Sequence, residues 1–295
     1  MISIRVPATS ANMGPGFDCL GVALGLYNTF WVEELEEGLE ILGCQDRYSN
    51  ASNLIYTSMQ RCFERTGYHP KGLRIKVESS IPISRGLGSS ASCIIGGIMA
   101  ANELSGGRLS KQELLEIANE IEGHPDNVAP ALLGGMVVAV QDRGKVSYDR
   151  VHLSEQLGFC AMIPEFTLST KEARAVLPNA LTYADAIHNI SRAALLVAAL
   201  SNGNHELIKY ACEDALHQPY RSGLIPGYDG IVEKCKSLGF LGVFLSGAGP
   251  TMMAIYDKQA ATFEKELQNY LNTLQHKWVI KNLSVDHQGA LLQRL

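Results

Sequence analysis

A glycine- and serine-rich segment at residues 82–92 constrains the fold of this chain more than any other sequence feature. It reads Pro-Ile-Ser-Arg-Gly-Leu-Gly-Ser-Ser-Ala-Ser. The alternating run at 73–78 predicts a half-buried strand before it, and the apolar run at 93–104 predicts a buried helix after it. The segment therefore lies where a strand turns into a helix N-terminus, which attracts anions through free backbone N–H groups and the helix dipole.

The residue types of this segment suit a phosphate ligand. Gly86 and Gly88 allow the backbone to approach a phosphate closely. Ser89 and Ser90 are expected to cap the helix, or to offer hydroxyls to a phosphate or to Mg²⁺. A capped helix after a tight turn is the alternative, because short glycine motifs also occur without a ligand. The segment matches neither G-x-x-x-x-G-K-[ST] nor G-x-G-x-x-G.

The composition predicts a packed globular protein. The 295 residues are enough for two domains, with 46% hydrophobic and 19% charged residues. The net charge of -5, without a basic block, argues against a general nucleic-acid binder. It does not argue against ATP binding, because phosphate binding depends on local N–H groups and cations and not on the net charge. The seven cysteines show no C-x-x-C and no Cys/His ligand spacing, so buried thiols are expected instead of zinc or disulfides.

No targeting or membrane segment is expected. The chain starts with a strand-like run at residues 2–6, without the charged and apolar regions of a signal peptide. The apolar helix candidate at 186–200 contains His188, Asn189 and Arg192 and is too short to span a bilayer. A cytoplasmic protein is the expectation.

Strands and helices are predicted to alternate along the chain. Strands are predicted at 2–7, 20–32, 39–43, 73–78, 134–140, 157–163, 242–245, 252–256 and 278–285. Helices are predicted at 93–104, 111–122, 184–201, 204–216, 229–237 and 258–274. Ser110 and Glu113 form a capping-box pattern before the second helix. This order allows an α+β fold with a ferredoxin-like unit, and pattern alone puts a domain boundary near residue 155, between 1–155 and 156–295.

Three further segments accompany residues 82–92 in a fixed order. Residues 7–21 read PATSANMGPGFDCLG, residues 122–130 read EGHPDNVAP, and residues 245–251 read LSGAGPT. Together the four segments resemble the motifs of the GHMP kinase superfamily, and the first and third resemble its homoserine kinases in particular. The resemblance spans nearly the whole chain. It implies a ribosomal-S5-like N-terminal domain and a ferredoxin-like C-terminal domain, with the active site between them, and it suggests a homodimer.

The resemblance implies that ATP phosphorylates the hydroxyl of L-homoserine, a step towards threonine, with Mg²⁺ as cofactor. Such a reaction needs a phosphate cradle, a metal and a positioned acceptor. The cradle implied by the resemblance comprises Pro82, Ile83, Ser84, Arg85, Gly86, Leu87, Gly88, Ser89, Ser90, Ala91 and Ser92. Arg85 either reaches the phosphates or points into solvent. Asn53 is a weaker candidate for the pocket of the nucleotide base, and a helix N-cap is its simpler role.

The resemblance also assigns residues around the reacting group. Ser90 and Glu122 are the metal candidates, since Mg²⁺ prefers hard oxygen ligands. A surface helix charge is the alternative for Glu122. Asn127 stands where mevalonate kinase-like members carry an aspartate, and an amide cannot accept a proton at neutral pH. The hypothesis is that positioning and electrostatics replace a strong base, while His124 contacts the substrate or orients Asp126.

The acceptor carries a carboxylate and an ammonium group, which need different partners. Arg174 and Arg221 match the family pattern, and arginine forks suit a carboxylate. Asn12 and Asp18 are candidates for the ammonium, although side chains of these types also cap turns. Thr170 is a weaker candidate for a substrate contact.

Two other functions compete with this interpretation. Another GHMP small-molecule kinase, for mevalonate or a sugar, would share the phosphate chemistry, but Asn127 and the two arginines favour an amino-acid acceptor. A non-catalytic nucleotide or metabolite sensor would be expected to have a damaged phosphate loop or metal site, whereas Gly86, Gly88 and Glu122 are all present.

Overall fold

Two sheets and the helices packed on them make up the computed structural model, which describes residues 1–260 and 262–295. The strands are β1 (Ile2–Ala11), β2 (Leu20–Leu35), β3 (Gly38–Leu42), β4 (Gly72–Ser79), β5 (Met136–Asp142), β6 (Lys145–Val151), β7 (Leu157–Pro164), β8 (Gly242–Leu245), β9 (Met252–Asp257), β10 (Trp278–Leu283) and β11 (Leu291–Arg294). The helices are α1 (Leu54–Thr66), α2 (Ser89–Leu104), α3 (Lys111–Glu122), α4 (Pro125–Leu133), α5 (Thr170–Ala175), α6 (Tyr183–Asn202), α7 (Ile208–Ala211), α8 (Gln218–Arg221), α9 (Tyr228–Ser237) and α10 (Glu264–Leu271).

The first sheet has the strand order β11-β1-β2-β4-β3, with the β5–β6 ribbon attached to β2. Strand β2 is long enough to pair with β5 through its first residues and with β4 through its last eight. Only β3 and β4 run parallel among the pairs of this sheet in the described part of the chain. The helices α1 to α4 share a buried apolar core with these strands, which includes Ile4, Phe30 and Ile95.

The second sheet is antiparallel and has the strand order β10-β7-β9-β8. Its strands follow one another as β7, helices, β8, β9, α10 and β10, which is the β-α-β-β-α-β succession of ferredoxin-like folds. The predicted hairpin of β8 and β9 is present. The ferredoxin-like prediction for this half of the chain is confirmed.

Strand pairing and apolar packing cross the predicted domain boundary near residue 155. Strand β11 returns to the first sheet, where Ile2 pairs with Arg294. A further apolar core joins Leu20 of the first sheet to Phe159 and Phe244 of the second. The division into 1–155 and 156–295 stays a prediction. Strand β11 does not follow it, because β11 lies in the second part of the sequence but pairs with β1 of the first part.

Some predicted element boundaries differ from the structure. The predicted helix at 204–216 is wrong: a 3-10 turn at 205–207 and the short α7 replace it. The reason is Asp214, whose carboxylate accepts hydrogen bonds from the backbone of residues 216–218 and turns the chain. The helix predicted at 258–274 is a 3-10 turn and then α10, and its predicted stretch at Ala261 lies outside the described residues.

At the start of α3 the local sequence signal was sufficient to predict the helix end. The capping box before α3 is confirmed, with the Ser110 hydroxyl accepting from the Glu113 backbone and the Glu113 carboxylate accepting from the Ser110 backbone. No range was predicted from the sequence for α1, α4, α5, α8, β6 and β11. Within residues 1–260 and 262–295, no helix is both long and apolar enough to cross a bilayer.

Candidate active site

A cleft of about 1070 Å³ lies between the two sheets and brings together most of the predicted site residues. Its walls include Asn12, Asp18, Asn53, Glu122, His124, Asn127, Thr170, Arg174 and Arg221, and much of the segment at 82–92. Three members of that segment do not line the cleft. The side chains of Leu87, Ala91 and Ser92 are buried beneath the loop instead, so they support the loop and do not face a ligand in the cleft.

The carbonyl groups of the loop 84–87 are held by neighbouring elements. Leu168 N–H donates to the Ser84 carbonyl, Thr251 N–H to that of Arg85, and Thr9 N–H to that of Leu87. The Ser246 hydroxyl donates to the Gly86 carbonyl. These carbonyl groups already accept hydrogen bonds from neighbouring elements. The N–H groups of the loop can therefore bind an anion.

The N-terminus of α2 has no side-chain cap from any described residue. Its N-cap is Gly88, with a left-handed backbone at φ 68°. The prediction that Ser89 or Ser90 caps this helix is therefore wrong, because the Ser90 hydroxyl donates to Glu122 Oε2 at 2.9 Å. The first N–H groups of a 16-residue helix remain available for an anion.

The close packing of Gly86 gives a first prediction. A Cβ atom at Gly86 would lie 2.2 Å from the Ser246 carbonyl oxygen and 2.9 Å from that of Gly249, and its φ is 75°. We expect Gly86→Ala to lower the free energy of unfolding by about 2–5 kcal/mol, since strain and overpacking add. Thermal unfolding and the KM for ATP measure this effect: the melting temperature is expected to fall and the KM for ATP to rise.

Gly67→Ala is the matched control for this variant. Gly67 has a similar φ of 67°, but a Cβ atom added there would have no neighbour within 4 Å among the described residues. Only the strain of the left-handed backbone applies there, so we expect the free energy of unfolding to fall by about 1 kcal/mol with unchanged ATP kinetics. Equal losses in the two variants would contradict a role for close loop packing.

Arg85 points neither to the cleft centre nor to open solvent. Its guanidinium donates to the carbonyl oxygens of Pro164 at 3.0 Å and Ile83 at 2.9 Å, and also to that of Glu165. Pro164 ends β7 of the second sheet. Arg85 therefore ties the phosphate loop to the second sheet.

Ser90 and Glu122 form the oxygen pair that could hold a cation. Burial raises the pKa of the Glu122 carboxyl above its ordinary value, and the hydrogen bond from Ser90 offsets part of this rise. A half-buried carboxylate beside an anion cradle would gain from a nearby cation. Asp18, His124 and Asp126 also offer ligand atoms within 4.8 Å of one another, but each already has a partner described below.

Asn127 is held at both ends of its amide. The Thr9 hydroxyl donates to Asn127 Oδ1 at 2.7 Å, and Asn127 Nδ2 donates to Asp126 Oδ1 at 3.3 Å. His124 Nδ1 donates to the same carboxylate oxygen at 2.7 Å. Burial lowers the pKa of His124, but the hydrogen bond and charge of Asp126 outweigh it and raise the pKa above its ordinary value. His124 therefore gains a proton more readily than a free imidazole.

The two arginines have different surroundings. Arg174 forms an ion pair with Asp18, with N–O distances of 2.7 and 3.2 Å. Arg221 is only 1% exposed and donates to the Ala173 and Gly247 carbonyls, yet it forms no ion pair with any carboxylate of the described residues. Burial, and then the charge of Arg174, lower the pKa of Arg221 to about 10. The charges of Asp18, Asp214 and Asp126 offset part of this fall, although none of these carboxylates forms an ion pair with the guanidinium. A buried cation that lines a cleft without such an ion pair is suited to an anionic ligand.

Two predicted site residues have structural partners. Asn12 Nδ2 donates to the Gly247 carbonyl, and Asn12 Oδ1 accepts from the Asp18 backbone. Asn53 caps α1 and also donates to the Tyr48 carbonyl, which is the simpler of its two predicted roles. Thr170 lies exposed at the start of α5, on the wall of the cleft.

The sequence did not point to Thr9 as a site residue, and it pointed to Asp126 only as the alternative partner of His124, a pairing that the structure contains. Thr9 is a buried polar residue in the buried second half of β1, and Asp126 is a buried carboxylate next to Asn127. A search for the partners that a half-buried Asn127 amide needs would have pointed to polar residues of this kind. The pairing of Thr9 with Asn127 spans 118 residues, so no local pattern shows it.

Comparison with known proteins gives consistent matches. The GHMP kinases N terminal domain matches residues 53–135, and the GHMP kinases C terminal domain matches residues 192–273. Homoserine kinases of Clostridium botulinum and Clostridium beijerinckii are 55% and 52% identical, each covering 99% of this chain and 98% of the relative. The crystal structure of homoserine kinase from Cytophaga hutchinsonii has a TM-score of 0.89 at 29% identity, covering 99% of this chain and 97% of that chain.

Proposed function

This chain belongs to the homoserine kinases within the GHMP kinase family, and we propose that its cleft transfers the γ-phosphoryl group of ATP to the hydroxyl of L-homoserine. The enzyme is an ATP-dependent small-molecule kinase with a two-domain GHMP fold. The observation that carries the site assignment is Arg221, a buried cation without a counter-ion among the described residues, on the wall of the cleft that the phosphate loop also lines.

ATP is assigned to the phosphate-loop side of the cleft. The uncapped N-terminus of α2 and the loop 84–88 supply N–H groups for the phosphates. Ser90 and Glu122 would hold Mg²⁺ through oxygen atoms, which are its preferred ligands. When bound, Mg²⁺ neutralises phosphate charge. Asn53 remains a weaker assignment to the base pocket, since its amide already caps α1.

L-Homoserine is assigned to the opposite side of the cleft. Its carboxylate would pair with Arg221 and Arg174, and its ammonium group with Asp18. In this assignment the substrate would insert its own charges between Arg174 and Asp18, which now form a partly exposed ion pair with each other. Asn12 supports Asp18 by accepting its backbone N–H, and Thr170 lies at the edge of the same subsite.

The acceptor hydroxyl is activated without a strong protein base in this assignment. Asn127 leaves one amide N–H free for the cleft, because Thr9 and Asp126 occupy its other groups. His124 is held by Asp126 and, in its protonated form, would contribute positive charge near the transferred group. Phosphoryl transfer through a loose transition state depends mainly on positioning and charge, so these groups are sufficient for turnover.

Asn127→Asp tests this assignment. The new carboxylate would lie about 3.3 Å from Asp126 Oδ1, where the amide now donates. Two carboxylates at that distance raise each other's pKa, so we expect kcat to fall by about tenfold or more. Steady-state turnover with saturating ATP and homoserine measures it. A steep increase in turnover would show instead that a missing base had limited the rate.

Acceptor specificity tests the proposed function directly. ADP release is measured with Mg-ATP and either L-homoserine, mevalonate, galactose or no acceptor. Turnover with homoserine alone is expected. Turnover with mevalonate or galactose alone would overturn the assignment of the acceptor and of the two arginines. ATP binding without ADP release in any well would favour a sensor.

We also propose that two copies of the chain associate through α6. Tyr183, Ile187 and Ile190 follow the i, i+4, i+7 spacing of one helix face and are 89%, 63% and 70% exposed. Such a contiguous apolar stripe on a surface helix is typical of an interface, and a closed two-fold pair buries the same stripe on both copies. Light scattering is expected to give a dimer for the wild type and a monomer for Ile187→Glu. A monomeric wild type would contradict this proposal.

A further inference from the structure

His217 is a fully buried histidine that the phosphoryl-transfer chemistry does not use. It precedes α8, four residues before Arg221, and its side chain is 0% exposed. It does not line the cleft. Its contacts nevertheless join two parts of the acceptor subsite, the loop at 14–17 and the Arg221 guanidinium.

The partners of the imidazole define its protonation state. Nε2 lies 2.8 Å from the Gly14 carbonyl oxygen, which only accepts hydrogen bonds, so Nε2 carries a hydrogen. Nδ1 lies 3.3 Å from Arg221 Nη1, which only donates, so Nδ1 carries none. The neutral form with hydrogen on Nε2 is the one that satisfies both partners.

The surrounding charges agree with a neutral imidazole. Burial lowers the pKa of His217, and the charge of Arg221 lowers it too, whereas Asp214 and Asp18 act in the opposite direction. Asp214 Oδ2 lies 3.5 Å from Nε2 and already accepts backbone hydrogen bonds at the start of α8. A proton on Nδ1 would place an N–H against the Arg221 N–H and two positive charges side by side.

The ring of Phe17 completes the arrangement. It stacks on the His217 ring with centroids 5.1 Å apart and planes at 25°. The Arg221 guanidinium lies over the same Phe17 ring, 5.2 Å from its centroid. Phe17 precedes Asp18, the group assigned to the substrate ammonium, so His217 contacts elements that carry both charged partners of the acceptor.

We propose that His217 is a positioning residue for the acceptor: its neutral imidazole fixes the Arg221 guanidinium and the loop at 14–17 in the geometry that binds the carboxylate of an amino-acid substrate. The inference rests on the proposed function and deepens it by naming what sets the selectivity for a carboxylate. Without His217, Arg221 keeps its bonds to the Ala173 and Gly247 carbonyls but loses the acceptor that holds Nη1.

The test compares two acceptors in His217→Phe. One is L-homoserine and the other is 3-amino-1-propanol, which is homoserine without its carboxylate. We expect the KM for homoserine to rise about 10- to 100-fold, as for a charged hydrogen-bond partner that is misplaced. The KM for ATP and the kcat/KM for 3-amino-1-propanol are expected to stay within about twofold, so the preference for homoserine falls by the same factor.

Two further variants separate the roles of the ring nitrogens. His217→Gln can still donate to Gly14 but offers no acceptor at the Nδ1 position, so it is expected to lose selectivity even if His217→Phe folds poorly. His217→Asn places its Oδ1 near the former Nδ1 and is expected to recover part of the selectivity. His152→Phe, at an exposed position outside the cleft, is the control and is expected to behave like the wild type.

The outcomes distinguish this inference from the proposed function. An unchanged homoserine KM in both His217→Phe and His217→Gln would overturn the positioning role. An equal loss of kcat/KM for both acceptors, or a matching rise in the KM for ATP, would also overturn it. A merely structural role would impair the use of homoserine, 3-amino-1-propanol and ATP alike. Absence of homoserine turnover in the wild type would instead reject the proposed function itself.

Discussion

Arg221→Met is expected to reduce kcat/KM for homoserine by about 10²- to 10³-fold, the range for truncating one partner of a buried, hydrogen-bonded charge pair. Arg221 is the buried cation of the acceptor subsite and forms no ion pair within the described part of the chain. In the proposed complex its counter-ion is the substrate carboxylate. Steady-state kinetics with varied homoserine at saturating ATP measures this loss, and the KM for ATP is expected to change little.

The same variant is expected to unfold within about 3 °C of the wild type. Methionine removes hydrogen bonds to Ala173, His217 and Gly247, each worth about 1 kcal/mol. It also removes a buried charge whose desolvation is unfavourable, as the lowered pKa of Arg221, about 10, shows. These opposing contributions largely cancel. Homoserine is expected to raise the melting temperature of the wild type but not of this variant.

Arg192→Met is the matched control. Arg192 lies on α6, pairs with the exposed Glu213 and lies outside the cleft. An exposed pair of this kind contributes about 1 kcal/mol or less, so kinetics close to the wild type are expected. A loss below about tenfold in Arg221→Met, or a similar loss in the control, would remove Arg221 from the substrate site.

Glu122→Gln is expected to lower kcat by about 10²- to 10³-fold, the effect of losing one electrostatic contact to the transferring group. Glutamine has the same shape and can still accept the hydrogen bond from Ser90, so the loop geometry is preserved. The charge that would hold Mg²⁺ is lost. Initial rates at fixed ATP over a range of free Mg²⁺ are expected to show a higher Mg²⁺ requirement together with the lower maximum.

Glu120→Gln provides the comparison on the same helix. Glu120 lies two residues earlier in α3 and forms an ion pair with Arg65 at 2.6 Å, away from the cleft. Its substitution is expected to leave the rate and the Mg²⁺ dependence unchanged. If Glu122→Gln kept more than about a tenth of the wild-type rate, Glu122 would be the surface helix charge that the sequence analysis kept as the alternative.

The sequence predicted those parts of the molecule whose signals are local. The strand, loop and helix around residues 82–92, the capping box of Ser110 and Glu113, and the β8–β9 hairpin are each encoded within a few neighbouring residues. The same local logic failed at 204–216. There the helical pattern is apolar enough, but the Asp214 carboxylate bonds to the following backbone and ends the helix.

The sequence by itself determined the order of the elements, the phosphate loop and the residue types available for charge pairing. Only the tertiary structure decided which of them meet: Thr9 with Asn127, Arg85 with the end of β7, and Arg221 with His217 and Gly247. It also decided that Ser90 bonds to Glu122 and leaves α2 uncapped. Propensity and periodicity act over a few residues, whereas burial and partner choice follow from strand register and sheet packing between distant segments.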